Sequence, residues 1–489
     1  MPCPDSLLDR FRASLGGDDV IARLSAGLIG ADAEFDGPFG RRKIVYADYV
    51  ASGRSLMQVE QFVLGEVLPF YANSHTEASY CGGFITRLRR QARAVVASAC
   101  GADHRHAVIF TGSGATAGLN RLVHLLGVSP GAGRGARPCV IVGPYEHHSN
   151  ILAWRESGAE VIEIGEAPSG GPDLDALDAA LEAHRERRPL VGAFSAASNV
   201  TGILTDVAGV TRRLKAAGAL AVWDYAGAGP YLPVSMTPGD GADIDAIVLS
   251  PHKFIGGPGA SGVLVVRRDA VRTGRPTWPG GGTVRFVSPG SHVYSESLEV
   301  REEAGTPNVI GDIRAALAFI VKAAIGEARM AGRNRELVRR AFAAWSGAPD
   351  LELLGNSRAE RLPIFSFRIG TRGDHVHHQL VTRLLSDRFG IQARGGCACA
   401  GPYVHRLLDI DEAESERLSR AILAGDEVAK PGFVRLNFSV LMSDQTVDFI
   451  LESVRTLARD AASCVGGYAP DRRTAIFSPR GMPVDAGAP

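Results

Sequence analysis

The stretch Ser250-Pro251-His252-Lys253 places a lysine beside a histidine near the middle of the chain. It follows the apolar run Ala246-Ile247-Val248-Leu249 and precedes Gly256-Gly257-Pro258-Gly259-Ala260-Ser261-Gly262. That context reads as a buried strand delivering a lysine to a glycine-rich turn. Lysine is scarce here, the others being Lys43, Lys215, Lys322 and Lys430. Imine chemistry needs an amine that loses its proton readily, which arginine cannot do. A lysine at a strand end is also an ordinary surface residue, so Lys253 alone decides nothing.

Other residues have chemistry of their own, each with a plain structural alternative. Gly114-Ala115-Thr116 opens a helix, where free backbone N–H groups suit an anion such as a phosphate. Asp224 ends the apolar run Ala221-Val222-Trp223. A carboxylate at a buried strand end needs a cationic partner or strong hydrogen bonds, which a protonated pyridine nitrogen, an arginine or a helix cap all satisfy. His147 and His148 follow a strand and a turn, where an imidazole can stack on a flat ring, shuttle protons or serve the structure only. His75 lies in a polar loop, within reach of a substrate or simply solvated. Cys397 and Cys399 lie in Arg394-Gly395-Gly396-Cys397-Ala398-Cys399-Ala400-Gly401-Pro402. A thiol in such a loop near an arginine suits nucleophilic work. No second cysteine pair stands at zinc spacing, so no metal is expected. Arg394 and Arg435 suit a bidentate clamp on a carboxylate, or are surface arginines.

The elements that must position these residues alternate. Strand-like runs fall at 108–110, 139–142, 161–164, 190–194, 220–223, 246–249 and 262–266, with helical patterns between several of them. Such alternation argues an α/β fold with a largely parallel sheet covered on both faces. Ligands then bind beyond the carboxyl ends of the strands, where Thr116, His147, Asn199, Asp224 and Lys253 fall. A long helical stretch over 313–345, interrupted or continuous, leads to a smaller α/β domain. We expect an N-terminal arm over 1–45, a large domain over 46–290, a C-terminal small domain with an interdomain helix over 291–465, and a mobile tail over 466–489.

The 489 residues are 45% hydrophobic and 22% charged with no formal net charge, which gives no electrostatic reason to propose nucleic acid or an anionic membrane as partner. No run approaches a membrane helix, and Met1 to Gly16 lacks the apolar core of a secretory leader. Seven scattered cysteines suit a reducing cytoplasm.

In order along the chain, Ala47-Asp48-Tyr49-Val50-Ala51-Ser52, Ser113-Gly114-Ala115-Thr116, Glu146-His147-His148-Ser149-Asn150, Ser198-Asn199-Val200-Thr201-Gly202, Ser250-Pro251-His252-Lys253, Glu303-Ala304-Gly305-Thr306-Pro307-Asn308, the Cys399 loop and Val434-Arg435-Leu436 resemble the class V aminotransferase-fold enzymes, most closely the Suf-type cysteine desulfurase and selenocysteine lyase group. The resemblance covers about Val45 to Asp460 and implies a type I pyridoxal 5′-phosphate (PLP) transferase fold. It implies that Lys253 holds PLP as a Schiff base, that Asp224 pairs with the pyridine nitrogen, and that His147 stacks on the ring. Gly114, Ala115, Thr116, Ser250 and His252 would bind the phosphate. Thr306 would reach the phosphate of the other subunit, which implies a homodimer. Asn199 would face the substrate or ring hydroxyl, with His75 near the substrate. Arg435, with Arg394, would hold the α-carboxylate, and Cys399 would carry a persulfide for a sulfur-acceptor protein.

Three features depart from the pattern. Gly227 stands where the family has a glutamine. About twenty extra residues, including 411–423, lie between Cys399 and Arg435. Cys397 is an extra thiol. Three readings follow: a desulfurase releasing alanine from L-cysteine; another PLP reaction, such as β-elimination or epimerisation; or a non-catalytic partner protein.

Overall fold

The computed structural model describes residues 7–74, 77–128, 137–371 and 373–480. The chain divides into two compact units: Met1–Ile29, Ala51–Ser198 and Leu204–Ala331 form the first, and Gly30–Val50, Asn199–Ile203 and Gly332–Pro489 the second.

The first unit is built on seven strands: β1 (His106–Gly112), β2 (Cys139–Val142), β3 (Glu160–Glu163), β4 (Leu190–Ser195), β5 (Leu220–Asp224), β6 (Ala246–Leu249) and β7 (Gly262–Arg267). They lie in the order β1-β7-β6-β5-β4-β2-β3. The pairs among β2 to β6 are parallel, whereas β7 runs antiparallel to both β6 and β1. Every residue of β2, β4, β5 and β6 is buried. Strands covered on both faces have no solvent side to alternate with, so they read as continuous apolar runs. One layer of the core joins Leu119, Leu122 and Trp154 to Val191, Val222, Val248 and Leu264. The polar residues that interrupt these runs fall at strand ends, which concentrates them along one edge of the sheet.

Two helices follow, α1 (Val309–Ile325) and α2 (Glu327–Trp345). They are separated by Gly326 at φ +84°, so the long helical stretch is broken. A stretch that composition marks only as a Pro- and Gly-rich crossing holds a hairpin, β8 (Val284–Val287) with β9 (His292–Tyr294).

The second unit is a sheet of β10 (Leu351–Leu353), β11 (Ile364–Thr371), β12 (Arg394–Gly396) and β13 (Phe433–Asn437), in the order β10-β11-β13-β12 and antiparallel throughout. Helices α3 (His378–Phe389), α4 (Glu412–Leu423) and α5 (Asp444–Cys464) belong to it. Trp345, Phe365, Phe367 and Phe438 meet ring to ring in its core. Burying each such side chain is worth about 1.5–3 kcal/mol. The structure differs from the sequence reading in the tail expected to be mobile from residue 466. Helix α5 runs on to Cys464, and β14 (Tyr468–Pro470) pairs with β15 (Phe477–Pro479). Tyr468 and Phe477 are buried, and Tyr468 donates to Asp387 at 2.8 Å. Two anchoring aromatics hold a segment whose Pro, Gly and Arg content reads as mobile.

Candidate active site

In the first unit the functional side chains gather at the carboxyl ends of β1, β2, β5 and β6. Strand β6 ends at Leu249, and Pro251–Lys253 turn as one 3-10 helix, which carries Lys253 out of the sheet. Gly53 donates its N–H to the His252 carbonyl at 2.9 Å. A Cβ on Gly53 would sit 1.8 Å from the Phe254 carbonyl oxygen, so only glycine lets this backbone lie against the lysine turn. Burial, with the charge of Lys253 beside it, brings the His252 imidazole down to about 4. It is therefore neutral at physiological pH.

The helix Gly114–Leu125 starts directly after β1. Ser113 makes no side-chain cap there, and the Ala115 N–H donates to Ser250 Oγ at 3.0 Å. Thr116 Oγ1 lies 2.7 Å from Ser149 Oγ, which is 3.0 Å from His147 Nδ1. The Ser149 backbone N–H also donates to that Nδ1 at 3.1 Å. With Nδ1 accepting, the neutral ring carries its proton on Nε2.

Asp224 closes β5, is 4% exposed, and accepts the Ala226 N–H at 2.7 Å. Burial pushes its carboxyl up, while that N–H and the charge of Lys253 oppose the rise. Among the described residues no arginine pairs with it. Beside it in register stands Ser195 of β4. Ser195 donates its N–H and Oγ–H to Glu146 at 2.8 and 2.6 Å, and Asn150 Nδ2 donates to the same carboxyl at 2.5 Å. Burial pushes Glu146 up to about 7, against those hydrogen bonds and with Asp224 adding to the rise.

In the second unit, Arg394 and Arg435 stand directly opposite each other on β12 and β13. Like charges so placed repel, and Asp48 offsets this by bridging them: Arg394 Nε lies 3.0 Å from Oδ2 and Arg435 Nη2 2.9 Å from Oδ1. Two guanidiniums with one carboxylate leave one net positive charge, suited to an anion. Arg435 Nη1 also donates to the Asn199 carbonyl at 3.1 Å. The Asn199 side chain donates from Nδ2 to the Ala398 carbonyl at 2.8 Å, and its Oδ1 is buried without a hydrogen-bond partner. Ala398 and Cys399 have φ +49° and +54°, and Ala400 N–H closes the turn onto the Cys397 carbonyl at 3.1 Å. Left-handed backbone at a residue with a Cβ costs about 1–2 kcal/mol. Cys399 is exposed at this turn, and Cys397 is half-buried.

The expected residues thus fall into two groups. Lys253, Asp224, His147, Gly114, Ala115, Thr116, Ser250 and His252 lie in the first unit, and Asn199, Arg394, Arg435 and Cys399 in the second. Thr306 is exposed in the first unit. Its loop is anchored by Glu303, whose carboxylate accepts from Arg89, Arg93 and the Phe110 N–H. His75 lies outside the described residues. Gly227 sits half-buried in the turn after β5. Among the described residues no cluster could hold a metal ion. Sequence reasoning gave no role to Asp48, Glu146 or Ser195. The signal for the first two was an acid next to apolar or aromatic neighbours; Ser195 gave none.

This fold and these strand-end residues define a class, and comparison with known proteins agrees. The chain belongs to the class-V aminotransferase family, whose model matches residues 45–449. It is 30% identical over 373 residues to a cysteine desulfurase of Pectobacterium atrosepticum, covering 74% of this chain and 85% of that protein. A probable cysteine desulfurase of Streptomyces coelicolor is 29% identical over 370 residues, with the same coverage. The fold is shared with solved cysteine desulfurases from Escherichia coli (TM-score 0.69, 24% identity, covering 90% of this chain and 98% of that one) and from Thermococcus onnurineus (TM-score 0.69, 24% identity, covering 85% and 95%).

Proposed function

We propose that the protein is a PLP-dependent cysteine desulfurase that takes sulfur from L-cysteine onto Cys399 and releases alanine. The observation that carries this reading is Asp224, a buried carboxylate at a strand end with no arginine partner among the described residues. Its burial favours a cationic N–H donor, which a protonated pyridine nitrogen provides. The other residues fit the same group. Thr116, Ser250 and the start of the helix Gly114–Leu125 suit its phosphate, and in the second unit the buried Asn199 Oδ1 awaits a donor. Similarity to named desulfurases supports the same conclusion.

Lys253 would hold the cofactor covalently through its amine, and His147, oriented by Ser149, would lie against the ring. When bound, PLP supplies a conjugated ring that draws electrons from the substrate Cα. Lys253 then takes and returns protons at that carbon, and the His252 imidazole would hydrogen-bond the phosphate. Arg435 and Arg394, bridged by Asp48, would bind the α-carboxylate. The Cys399 thiolate attacks the substrate sulfur. A sulfur–sulfur bond forms, the carbon–sulfur bond breaks with its electron pair left on Cβ, and a proton added to that carbon completes alanine. The exposure of Cys399 leaves its persulfide open to a thiol of an acceptor protein.

We further read the enzyme as a homodimer, with the exposed Thr306 loop and the exposed hairpin residues Phe286, Val287 and Val293 facing the second copy. The six described cysteines are free, which supports a reducing cytoplasm. Among the described residues no helix is long and apolar enough to cross a membrane.

The test is a single turnover with L-cysteine. Alanine together with a mass gain of one sulfur on Cys399, both lost in Cys399→Ala, is the expected result. Pyruvate with ammonia would instead mark β-elimination, and a protein whose spectrum shows no bound PLP after reconstitution would overturn the assignment.

A further inference from the structure

Asn199 has one side-chain donor committed to the Cys399 loop. Its Nδ2 donates to the Ala398 carbonyl at 2.8 Å, 199 residues away in sequence. That carbonyl lies between two non-glycine residues of positive φ, Ala398 and Cys399. Together with the Ala400 N–H to Cys397 carbonyl bond, they make a turn with both central residues left-handed, a shape that sequences normally give to Asn-Gly or Gly-Gly. Nothing in Ala-Cys favours this shape, so an outside contact must hold it. The anchor itself is fixed independently of its side chain: the Asn199 carbonyl accepts from Arg435 Nη1 at 3.1 Å, and Arg435 is paired with Asp48.

We propose that Asn199 is the positioning residue for the Cys399 thiol, its amide holding the Ala398 carbonyl and so fixing the left-handed turn from which the thiol points. This deepens the desulfurase reading and rests on it for its catalytic consequence, but not for its structural one. The same amide keeps its Oδ1 buried and without a partner. One side chain therefore faces the thiol loop with its donor and keeps an acceptor for a ligand N–H or O–H.

Asn199→Asp keeps the shape and the Oδ1 acceptor but replaces the donor with a second acceptor oxygen, set against the Ala398 carbonyl. Ala398→Gly makes the left-handed turn intrinsically favourable and offers a rescue. Hydrogen exchange of the full-length protein, read at the peptide spanning 394–403, is expected to speed about tenfold or more in Asn199→Asp. It should return towards the wild-type rate in Asn199→Asp/Ala398→Gly. The rate of persulfide formation on Cys399, followed by mass in a single turnover, should fall and recover in the same order. Unchanged exchange at 394–403 in Asn199→Asp would overturn the proposal. So would loosening that is equally large in β11 and β13, which marks a general loss of stability, or a failure of Ala398→Gly to restore protection. The exchange result does not depend on desulfuration. A turn loosened as expected in a protein that forms no persulfide would refute the desulfurase reading and leave the positioning of the loop standing.

Discussion

Asp48 makes the two arginines of the second unit usable together. It has 8% exposure and contacts the 4%-exposed Arg435. Asp48→Asn removes the charge between two opposed guanidiniums, and breaking such a buried pair costs on the order of 3 kcal/mol. We expect a lower denaturation midpoint and a KM for cysteine raised about tenfold or more, equivalent to about 1.4 kcal/mol. Glu146 makes a second residue-scale prediction. Burial raises its folded carboxyl from the ordinary carboxylate range to about 7, so between those values the native state binds a proton that the unfolded chain has released. The stabilisation is present below the ordinary carboxylate range and is lost as pH rises towards 7. Thermal denaturation at pH 5 and pH 8 should show the wild type losing more stability across that window than Glu146→Gln, by on the order of 3 kcal/mol. A pH dependence equal in the two proteins would show that Glu146 is not the group responsible. At this scale the sequence was legible as to position: Lys253, Asp224 and Cys399 each stand at a strand end or loop that local pattern reveals. Asp48 and Glu146 act through partners far along the chain, and no local pattern carries a bond between residues 48 and 435.

At the scale of elements, the buried strands are the most legible part. Cys139–Val142 is a continuous apolar run bounded by Pro138 and Gly143, Ala246–Leu249 is one bounded by Asp245 and Ser250, and the strands have those limits. The reversed direction of β7 was not readable, because apolar content carries no polarity along the chain. The hairpin of β8 and β9 was hidden by the Pro and Gly residues before it and by its exposed face. The break between α1 and α2 depends on Gly326, at φ +84° and ψ 140°. Nothing lies within 4 Å of a Cβ placed there, so Gly326→Ala meets only a backbone penalty, of about 1–3 kcal/mol. Chemical denaturation should show that loss, with the cofactor spectrum unchanged. Helix α5 is capped by Ser443, whose Oγ accepts the Thr446 N–H at 3.2 Å. Ser443→Ala should cost about 1 kcal/mol by the same measurement.

On the scale of the whole molecule, the proposed dimer turns on the exposed ribbon. Phe286, Val287 and Val293 are 60%, 62% and 54% exposed. Covering such side chains contributes roughly 1.5–3 kcal/mol each. Phe286→Glu with Val293→Glu should therefore shift the sedimentation profile towards monomer, and a wild type that sediments as a monomer would refute the dimer. The division into two units was only partly legible: the arm before residue 45 read as separate, yet residues 30–50 are built into the same unit as the C-terminal sheet. That interleaving has a consequence for synthesis. Asp48 leaves the ribosome early, and its partner Arg435 is 387 residues behind it. During translation an acidic residue at a future anion site waits for the second of its two arginines until nearly the whole polypeptide has been made. A nascent chain stopped short of β13 can already own every residue expected to hold the cofactor and still lack the charge that recognises an amino acid, so premature termination would yield a protein able to take up PLP but not to use it on cysteine.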